Sequence, residues 1–173
     1  MAYATPADFV QAFGLDETCM LLMDEERLLT TDALASALEA LAQGGAAADA
    51  VAARALERLQ VRLHNTSSMM DGYLGSAVSL PIGGAGAALM GVLKECCLAL
   101  ARCALSDDPD NATERMDKAC DNWRQWLRDV AAGKIKLVDA DGTVAAGGRI
   151  LHGQVPSAYN WGAYARFGGG YRS

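Results

Sequence analysis

A helical pattern that ends in the stretch 69–82 constrains this fold more than any other feature of the sequence. Apolar residues recur before that end at the spacing of one helical face, namely Leu56, Leu59, Leu63, Met70 and Leu74. Pro81 follows a run of small residues and disfavours helix at the residue before it. The sequence therefore predicts a long helix, a corner, and a restart of the chain at Pro81. Taken alone, these residues indicate an ordinary corner of a helical bundle.

The long helix is predicted over residues 46–74, which corresponds to a length of about 40–45 Å. Its weak point is the polar run 64–68 (HNTSS), because such side chains compete for backbone hydrogen bonds. Tyr73 lies near its end, beside Asp71, and a tyrosine buried there needs a partner for its hydroxyl. His64 could be imagined as a base or a ligand. No Cys, Asp or His lies three or four positions away, so a structural role is favoured.

Capping residues mark the starts of further helices. Thr5, Pro6 and Asp8 form the pattern of a capping box with proline in the first turn, and this pattern predicts a helix that begins there. Thr30 or Thr31 caps another helix. Each of these two caps stands directly before a run of residues with helical apolar spacing. We therefore expect one helix to begin after each cap.

The remaining helices follow from the same periodicity. We expect helices over about 16–23, with Met20 facing inward, over about 87–105, and from about 111 to 133. The chain is therefore predicted to be all-α, with a helical bundle of about five to six helices around a long central helix. The predicted bundle domain covers residues 1–133.

The cysteines give no sign of a metal site or a disulfide framework. The sequence contains five, Cys19, Cys96, Cys97, Cys103 and Cys120, with no CxxC pair and no histidine at metal-ligand spacing. We expect all of them to be small core residues in a reducing compartment. The sequence predicts no metal and no cofactor.

Charge is distributed unevenly along the chain. Residues 1–49 hold nine acids and one base, whereas residues 143–173 hold three arginines and no acid. Such an asymmetry can set the register between partners or between copies of the chain. The net charge of −6 argues against general DNA binding, because phosphate contacts need concentrated Lys and Arg. We also expect no secretory signal and no membrane span, since no long apolar run is present.

The sequence changes character after Gly133. Asp141-Gly142 indicates a hairpin within about 135–146, and the tail 147–173 is rich in glycine and aromatic residues. We therefore predict a separate extended arm over 134–173. Exposed aromatics and arginines among glycines favour an arm that orders on a neighbouring subunit or partner, although a strand packed on the chain's own body is the alternative. The interface candidates are Arg149, Tyr159, Trp161, Tyr164, Arg166, Phe167, Tyr171 and Arg172.

One group of carboxylates has the spacing of a helical metal or acid–base site. Glu114, Asp117 and Asp121 share a flank of the helix predicted over 111–133. Basic residues interleave with them, so a salt-bridged outer face explains them better. A metal-dependent all-α hydrolase would need a second acidic pair on a facing helix, and the sequence supplies only Glu114-x-x-Asp117. We predict no catalytic residues, with this hydrolase kept as the alternative from a different class.

Three blocks of the sequence, in this order, resemble the small helical structural protein of Mu-like tailed phages and prophages. The blocks are residues 3–9 (YATPADF) with Phe13-Gly14, residues 70–74 (MDGYL) with residues 80–82 (LPI), and residues 126–134 (WLRDVAAGK). The resemblance covers about residues 3–134. Its structural motif residues are Thr5, Pro6, Asp71, Gly72, Tyr73, Leu74, Pro81 and Trp126.

This family is similar in helix order to the head–tail connector, or head-completion adaptor, proteins of long-tailed phages. The resemblance implies a ring, commonly of twelve copies, docked beneath the portal protein in the virion neck after DNA packaging. It also implies that the protein is in the host cytoplasm during assembly. Such a ring extends the DNA channel, lets DNA pass without specific binding, and docks the next neck or tail-completion protein. A protein placed elsewhere in the neck, or a tail-completion protein, is the alternative from the same virion.

Overall fold

The structure is a computed structural model, and it describes residues 2–23, 28–78, 80, 82, 86–106 and 114–138. These residues form six α-helices: α1 (Pro6–Phe13), α2 (Leu15–Leu22), α3 (Thr31–Ala42), α4 (Ala50–Leu74), α5 (Ala87–Leu105) and α6 (Glu114–Ala131). The prediction of an all-α bundle with a long central helix is confirmed. Pro81 and the predicted hairpin residues from Asp139 onward lie outside the described residues, as does the predicted cap Asn111.

The cap that starts α1 has the predicted geometry. The Thr5 hydroxyl accepts a hydrogen bond from the Asp8 backbone N–H at 3.2 Å, and the Asp8 carboxylate accepts one from the Thr5 N–H at 2.9 Å. Pro6 occupies the first turn, where its missing N–H costs no hydrogen bond. Gly14 ends the helix with φ +87°, a conformation that side chains with a Cβ rarely adopt.

The central helix begins four residues later than the sequence predicted. Asp49 caps it by accepting a hydrogen bond from the Ala52 N–H at 2.8 Å, so the helix starts at Ala50 rather than at Ala46. Thr30 caps α3 in the same way, through the Ala33 N–H at 3.2 Å. A side-chain acceptor therefore fixes the start of each of these two helices.

The core is organised around α4, which is 25 residues long and contacts all five other helices. The predicted apolar face is confirmed, because its members are at most 5% exposed: Leu56, Leu59, Leu63, Met70 and Leu74. The polar run 64–68 remains helical. Two of its side chains, Thr66 and Ser67, are buried within the bundle. The pattern of α2 was misread at one position, since Met20 is 69% exposed.

The cysteines divide into two groups. Cys19, Cys96 and Cys97 are buried free thiols, as predicted, and burial raises the pKa of Cys96 to about 12. The expectation was wrong for Cys103 and Cys120, which form a disulfide between α5 and α6 with Cα atoms 6.3 Å apart. The two cysteines are 17 positions apart in sequence, and they meet only because α5 packs against α6. Their pairing was therefore not predicted from the sequence.

Reducing this disulfide should lower the free energy of unfolding by about 3 kcal/mol, because the cross-link restricts the unfolded chain over a loop of this length. The measurement is urea unfolding, followed by circular dichroism, with and without a thiol reductant. The Cys103→Ser/Cys120→Ser variant is the control and should not respond to the reductant. Equal stability of the reduced and oxidised wild-type chains would contradict the prediction.

The outer face of α6 carries the ion pairs that the sequence predicted. Lys118 Nζ lies 2.7 Å from a Glu114 carboxylate oxygen, and an Arg124 nitrogen lies 3.3 Å from Asp121. All four side chains are largely exposed, so each pair contributes little stability, about 0.3–0.5 kcal/mol. In the parts of the chain that the structure describes, no helix is both long and apolar enough to cross a bilayer.

Candidate functional site

The first two sequence blocks meet in the structure. The segment before α1 runs back along the C-terminal half of α4, and two hydrogen bonds of Tyr3 join it there. The Tyr3 N–H donates to the Ser67 hydroxyl at 3.2 Å, and the Tyr3 hydroxyl donates to the Asp71 carboxylate at 2.5 Å. This contact links residues that are 68 positions apart in sequence. It explains why a polar residue, Ser67, occupies a buried position on α4.

The environment of Tyr3 keeps its hydroxyl protonated. The side chain is only 7% exposed. Burial, and then the hydrogen bond to the Asp71 carboxylate, raise the pKa of Tyr3 well above its usual value. The hydroxyl is therefore a permanent donor to Asp71 across the physiological pH range. The buried tyrosine that needs a partner is Tyr3, whereas Tyr73 is half-buried at the edge of the core.

A second link joins α1 to α5. Lys94 Nζ lies 2.7 Å from Asp8 Oδ1, while the other oxygen of that carboxylate serves the capping box of α1. The hydrogen bond from Lys94 lowers the pKa of Asp8 below its usual value, and the bonds from Thr5 act in the same direction. The Asp8 carboxylate therefore takes part in the cap of α1 and also forms the ion pair that links α1 to α5.

A third link joins α2 to α5 through Arg102. Its guanidinium forms an ion pair with Glu17 at 2.5 Å and stacks 4.8 Å from the centre of the Phe13 ring. Phe13 in turn packs edge-to-face on Phe9, with ring centres 4.8 Å apart. The N-terminal helices are therefore fixed on α5 by charge and aromatic contacts as well as by the core.

The third sequence block ends beside the second. Trp126 packs against the core and contacts Trp123 edge-to-face, with ring centres 5.6 Å apart. Ser76, in the turn after α4, donates to the Ala131 carbonyl at the end of α6 at 3.4 Å. Leu137 is 5% exposed, so the chain that leaves α6 first packs on the core. Parts of all three blocks thus lie around one region, where the ends of α4 and α6 meet.

The motif residues hold this region together in different ways. Leu74 is fully buried, Asp71 accepts the hydrogen bond of Tyr3, and Gly72 is exposed. Thr5 and Pro6 start α1. These roles are structural, because they fix the start of α1 and join the N-terminal segment to α4. The predicted interface residues lie outside the described residues: Arg149, Tyr159, Trp161, Tyr164, Arg166, Phe167, Tyr171 and Arg172.

The acidic flank of α6 has the spacing of a catalytic or metal centre in the sequence. Two of its three carboxylates, Glu114 and Asp121, form the ion pairs described above. Among the described residues, no group of three or more His, Cys, Asp or Glu side chains could hold a metal ion. That the protein is not an enzyme remains a prediction.

Two features of the structure were not predicted from the sequence. The first is Tyr3, which lay inside a motif block but gave no sign that it is the buried donor to Asp71. The second is a row of arginines on α4, Arg54, Arg58 and Arg62, which line a groove beside α2 and α5. Their spacing of four residues was visible in the sequence and indicates one helical face.

Comparison with known families agrees with the arrangement of the three blocks. A family described as "Bacteriophage Mu, Gp36" matches residues 3–150, a range that includes all six helices and extends beyond the resemblance at 3–134. A comparison with curated proteins finds no match. The matched range begins at Tyr3, the residue that fixes the N-terminal segment on α4. The chain belongs to the Bacteriophage Mu Gp36 family, a family of Mu-like phage proteins.

Proposed function

We propose that this protein is a structural head–tail connector of a tailed phage. Copies of the chain form a ring, with twelve as the expected number, beneath the portal protein in the virion neck. The ring extends the DNA channel and presents a surface to the next neck or tail protein. The observation that carries this proposal is the family match over residues 3–150, which spans the whole helical bundle.

The construction of the bundle supports a structural role. The residues of its three sequence blocks serve as caps, core residues and links between helices, as the contacts of Tyr3 and Asp8 illustrate. A connector must keep its shape while neighbours and DNA act on it. The links from the N-terminal segment to α4 and from α1 to α5 meet that need, because they tie the chain's start to its central helices.

The charge asymmetry supports assembly into a ring. Neighbours in a ring meet through two different surfaces, so each copy needs a pair of complementary patches. Residues 1–49 carry nine acids and one base, and the arm beyond residue 143 carries three arginines and no acid. An acidic channel wall would also repel DNA phosphates and let the duplex slide. Asp16 is an exposed acid that is available for this purpose.

Truncating the chain after residue 149 should abolish binding to the portal ring while leaving the helical bundle folded. All the buried core residues that the structure describes lie before residue 139, so we expect circular dichroism and the melting temperature to stay close to those of the full chain. Binding is measured by sedimentation of the chain with purified portal rings. A truncated chain that joins the portal normally would refute the role of the arm.

Two full-length variants separate the aromatic from the basic contribution of the arm. Aromatic hot spots each contribute about 2 kcal/mol or more, so replacing Tyr159, Trp161 and Tyr164 by serine should weaken portal binding more than about 100-fold. Replacing Arg166 and Arg172 by glutamine should mainly slow association and reduce its salt dependence. If the full-length wild-type chain does not bind the portal at all, the connector role fails and a site elsewhere in the neck or tail is favoured.

A further inference from the structure

A groove with a basic edge runs along the N-terminal part of α4, beside the ends of α2 and α5. The cavity has a volume of about 780 Å³. Its apolar lining comes from the end of α2, from α4 and from the end of α5: Leu21, Leu22, Met23, Val51, Val61, Ala104 and Leu105. Val61 is 50% exposed, so part of this lining faces solvent. An apolar groove of this size is a surface that a partner can cover.

Three arginines line the groove at successive turns of α4. Arg54, Arg58 and Arg62 follow the i, i+4, i+8 spacing of one face and so span about 12 Å along the helix axis. Glu57 is the acidic residue among the lining side chains, so the groove has a net charge of +2. An acidic helix face of similar length would complement this row.

The charges of these arginines are not neutralised within the described part of the chain. Arg58 donates to the Leu22 carbonyl, and Arg54 Nε donates to the Ala50 carbonyl at 3.4 Å. Neither they nor Arg62 form an ion pair with a carboxylate of the described residues, whereas Lys94 and Arg102 on α5 do. The guanidinium groups therefore retain capacity to bind carboxylates, with which they form strong charge-assisted hydrogen bonds.

The complementary face lies on α3 of the same chain. Asp32, Ser36 and Glu39 are exposed and share one side of that helix, and α3 contains no basic residue. Asp32 and Glu39 are about 10.5 Å apart along the axis, close to the length of the arginine row. Neither forms an ion pair among the residues that the structure describes. Leu28, 55% exposed, precedes this face and offers an apolar contact.

We infer that the groove on α4 receives the acidic face of α3 from a second copy of this chain. The α3 side chains do not line the groove of their own chain, so the described residues of one copy offer both surfaces without joining them. Such a contact joins different surfaces of neighbouring copies, which is the type that closes into rings. The basic arm is a poor occupant by comparison, because its three arginines would face three more.

This contact rests on the proposed ring, but the two ideas are tested by different measurements. Association of the isolated full-length chain reports on the groove and α3, whereas binding to the portal reports on the connector role. The chain is examined by sedimentation velocity from about 1 µM to about 1 mM, at low and high salt. The wild-type chain should associate, and salt should weaken this association because its ion pairs are exposed at the rim.

Charge reversals identify the two surfaces. Arg54→Glu/Arg62→Glu on the groove and Asp32→Arg/Glu39→Arg on α3 should each weaken association by about tenfold or more, because like charges then face each other. An equimolar mixture of the two variants should associate again, because each reversed surface meets a complementary one. Arg115→Glu/Lys136→Glu, which makes the same charge change on exposed residues outside the groove, is the matched control and should behave as wild type.

Four outcomes would overturn the inference. These are a wild-type chain that stays monomeric over the whole concentration range, a groove variant that associates as wild type does, a control pair that weakens association equally, and a mixture that fails to recover.

A 20-base-pair duplex DNA serves as a further probe. If the groove variant loses DNA binding but keeps self-association, the arginines serve DNA instead. Circular dichroism confirms that each variant is folded.

Discussion

Replacing Tyr3 by alanine should lower the free energy of unfolding by about 3–5 kcal/mol, the range found for removing a buried aromatic ring. The ring is 7% exposed and packs in the core, so its loss leaves a cavity under the N-terminal segment. The same change removes the hydroxyl that donates to Asp71. Urea unfolding of the full-length chain, followed by circular dichroism, measures the effect.

Two conservative variants divide this effect between packing and hydrogen bonding. Tyr3→Phe keeps the ring and removes only the hydroxyl, and it should cost about 1.5–3 kcal/mol because the acceptor is charged. Tyr73→Phe is the matched control, since the Tyr73 hydroxyl makes no hydrogen bond within the described residues, and its effect should stay within about 0.5 kcal/mol. A loss below about 1 kcal/mol for Tyr3→Ala would show that the segment before α1 is not part of the cooperative core.

The sequence was sufficient to predict those features that depend on near neighbours. The capping box of Thr5 and Asp8 involves residues three positions apart, and its geometry is the one expected. The buried face of α4 follows from periodicity, because a helix places every third or fourth residue on the same side. Such features depend on local geometry alone, and this is why the helix order and the all-α class could be predicted.

Features that depend on the packing of distant segments could not be predicted. The bond from Tyr3 to Asp71 spans 68 positions, and the disulfide of Cys103 with Cys120 requires two helices to lie side by side. Met20 is a wrong prediction of another kind, because it was made from the local apolar pattern. It fits the apolar pattern of α2 but is 69% exposed, because a helix of eight residues has too few turns to fix which face is buried.

The arginine row on α4 illustrates a further limit. Its spacing is visible in the sequence, but an arginine row on a helix is usually a solvated face. The groove exists only because the ends of α2 and α5 lie against α4 and place apolar side chains beside the arginines. The roles of the predicted arm residues also depend on packing, in their case on the surface of a neighbouring molecule that contacts them. Their roles therefore remain predictions.

Leu59→Ala in the centre of α4 should lower the free energy of unfolding by about 3–5 kcal/mol. Leu59 is fully buried, and α4 contacts every other helix, so its neighbours cannot move to fill the space without disturbing several packed interfaces. Alanine has the higher helix propensity, by a few tenths of a kcal/mol, so any loss of stability reports on packing rather than on helix formation. Urea unfolding with an unchanged m-value would show that the native state keeps its compactness.

Val61→Ala is the matched control for this prediction, because Val61 lies two residues further along α4 and is 50% exposed. Its effect should be within about 0.5 kcal/mol of zero, since little apolar area is removed from the core and alanine favours the helix. The difference in stability between Leu59→Ala and Val61→Ala tests directly which face of α4 is buried and which is exposed. Equal losses for the two variants, or a loss below about 1.5 kcal/mol for Leu59→Ala, would mean that α4 does not pack through the face described here. The groove on α4 would then need to be placed anew, because the position of its arginines is defined relative to that face.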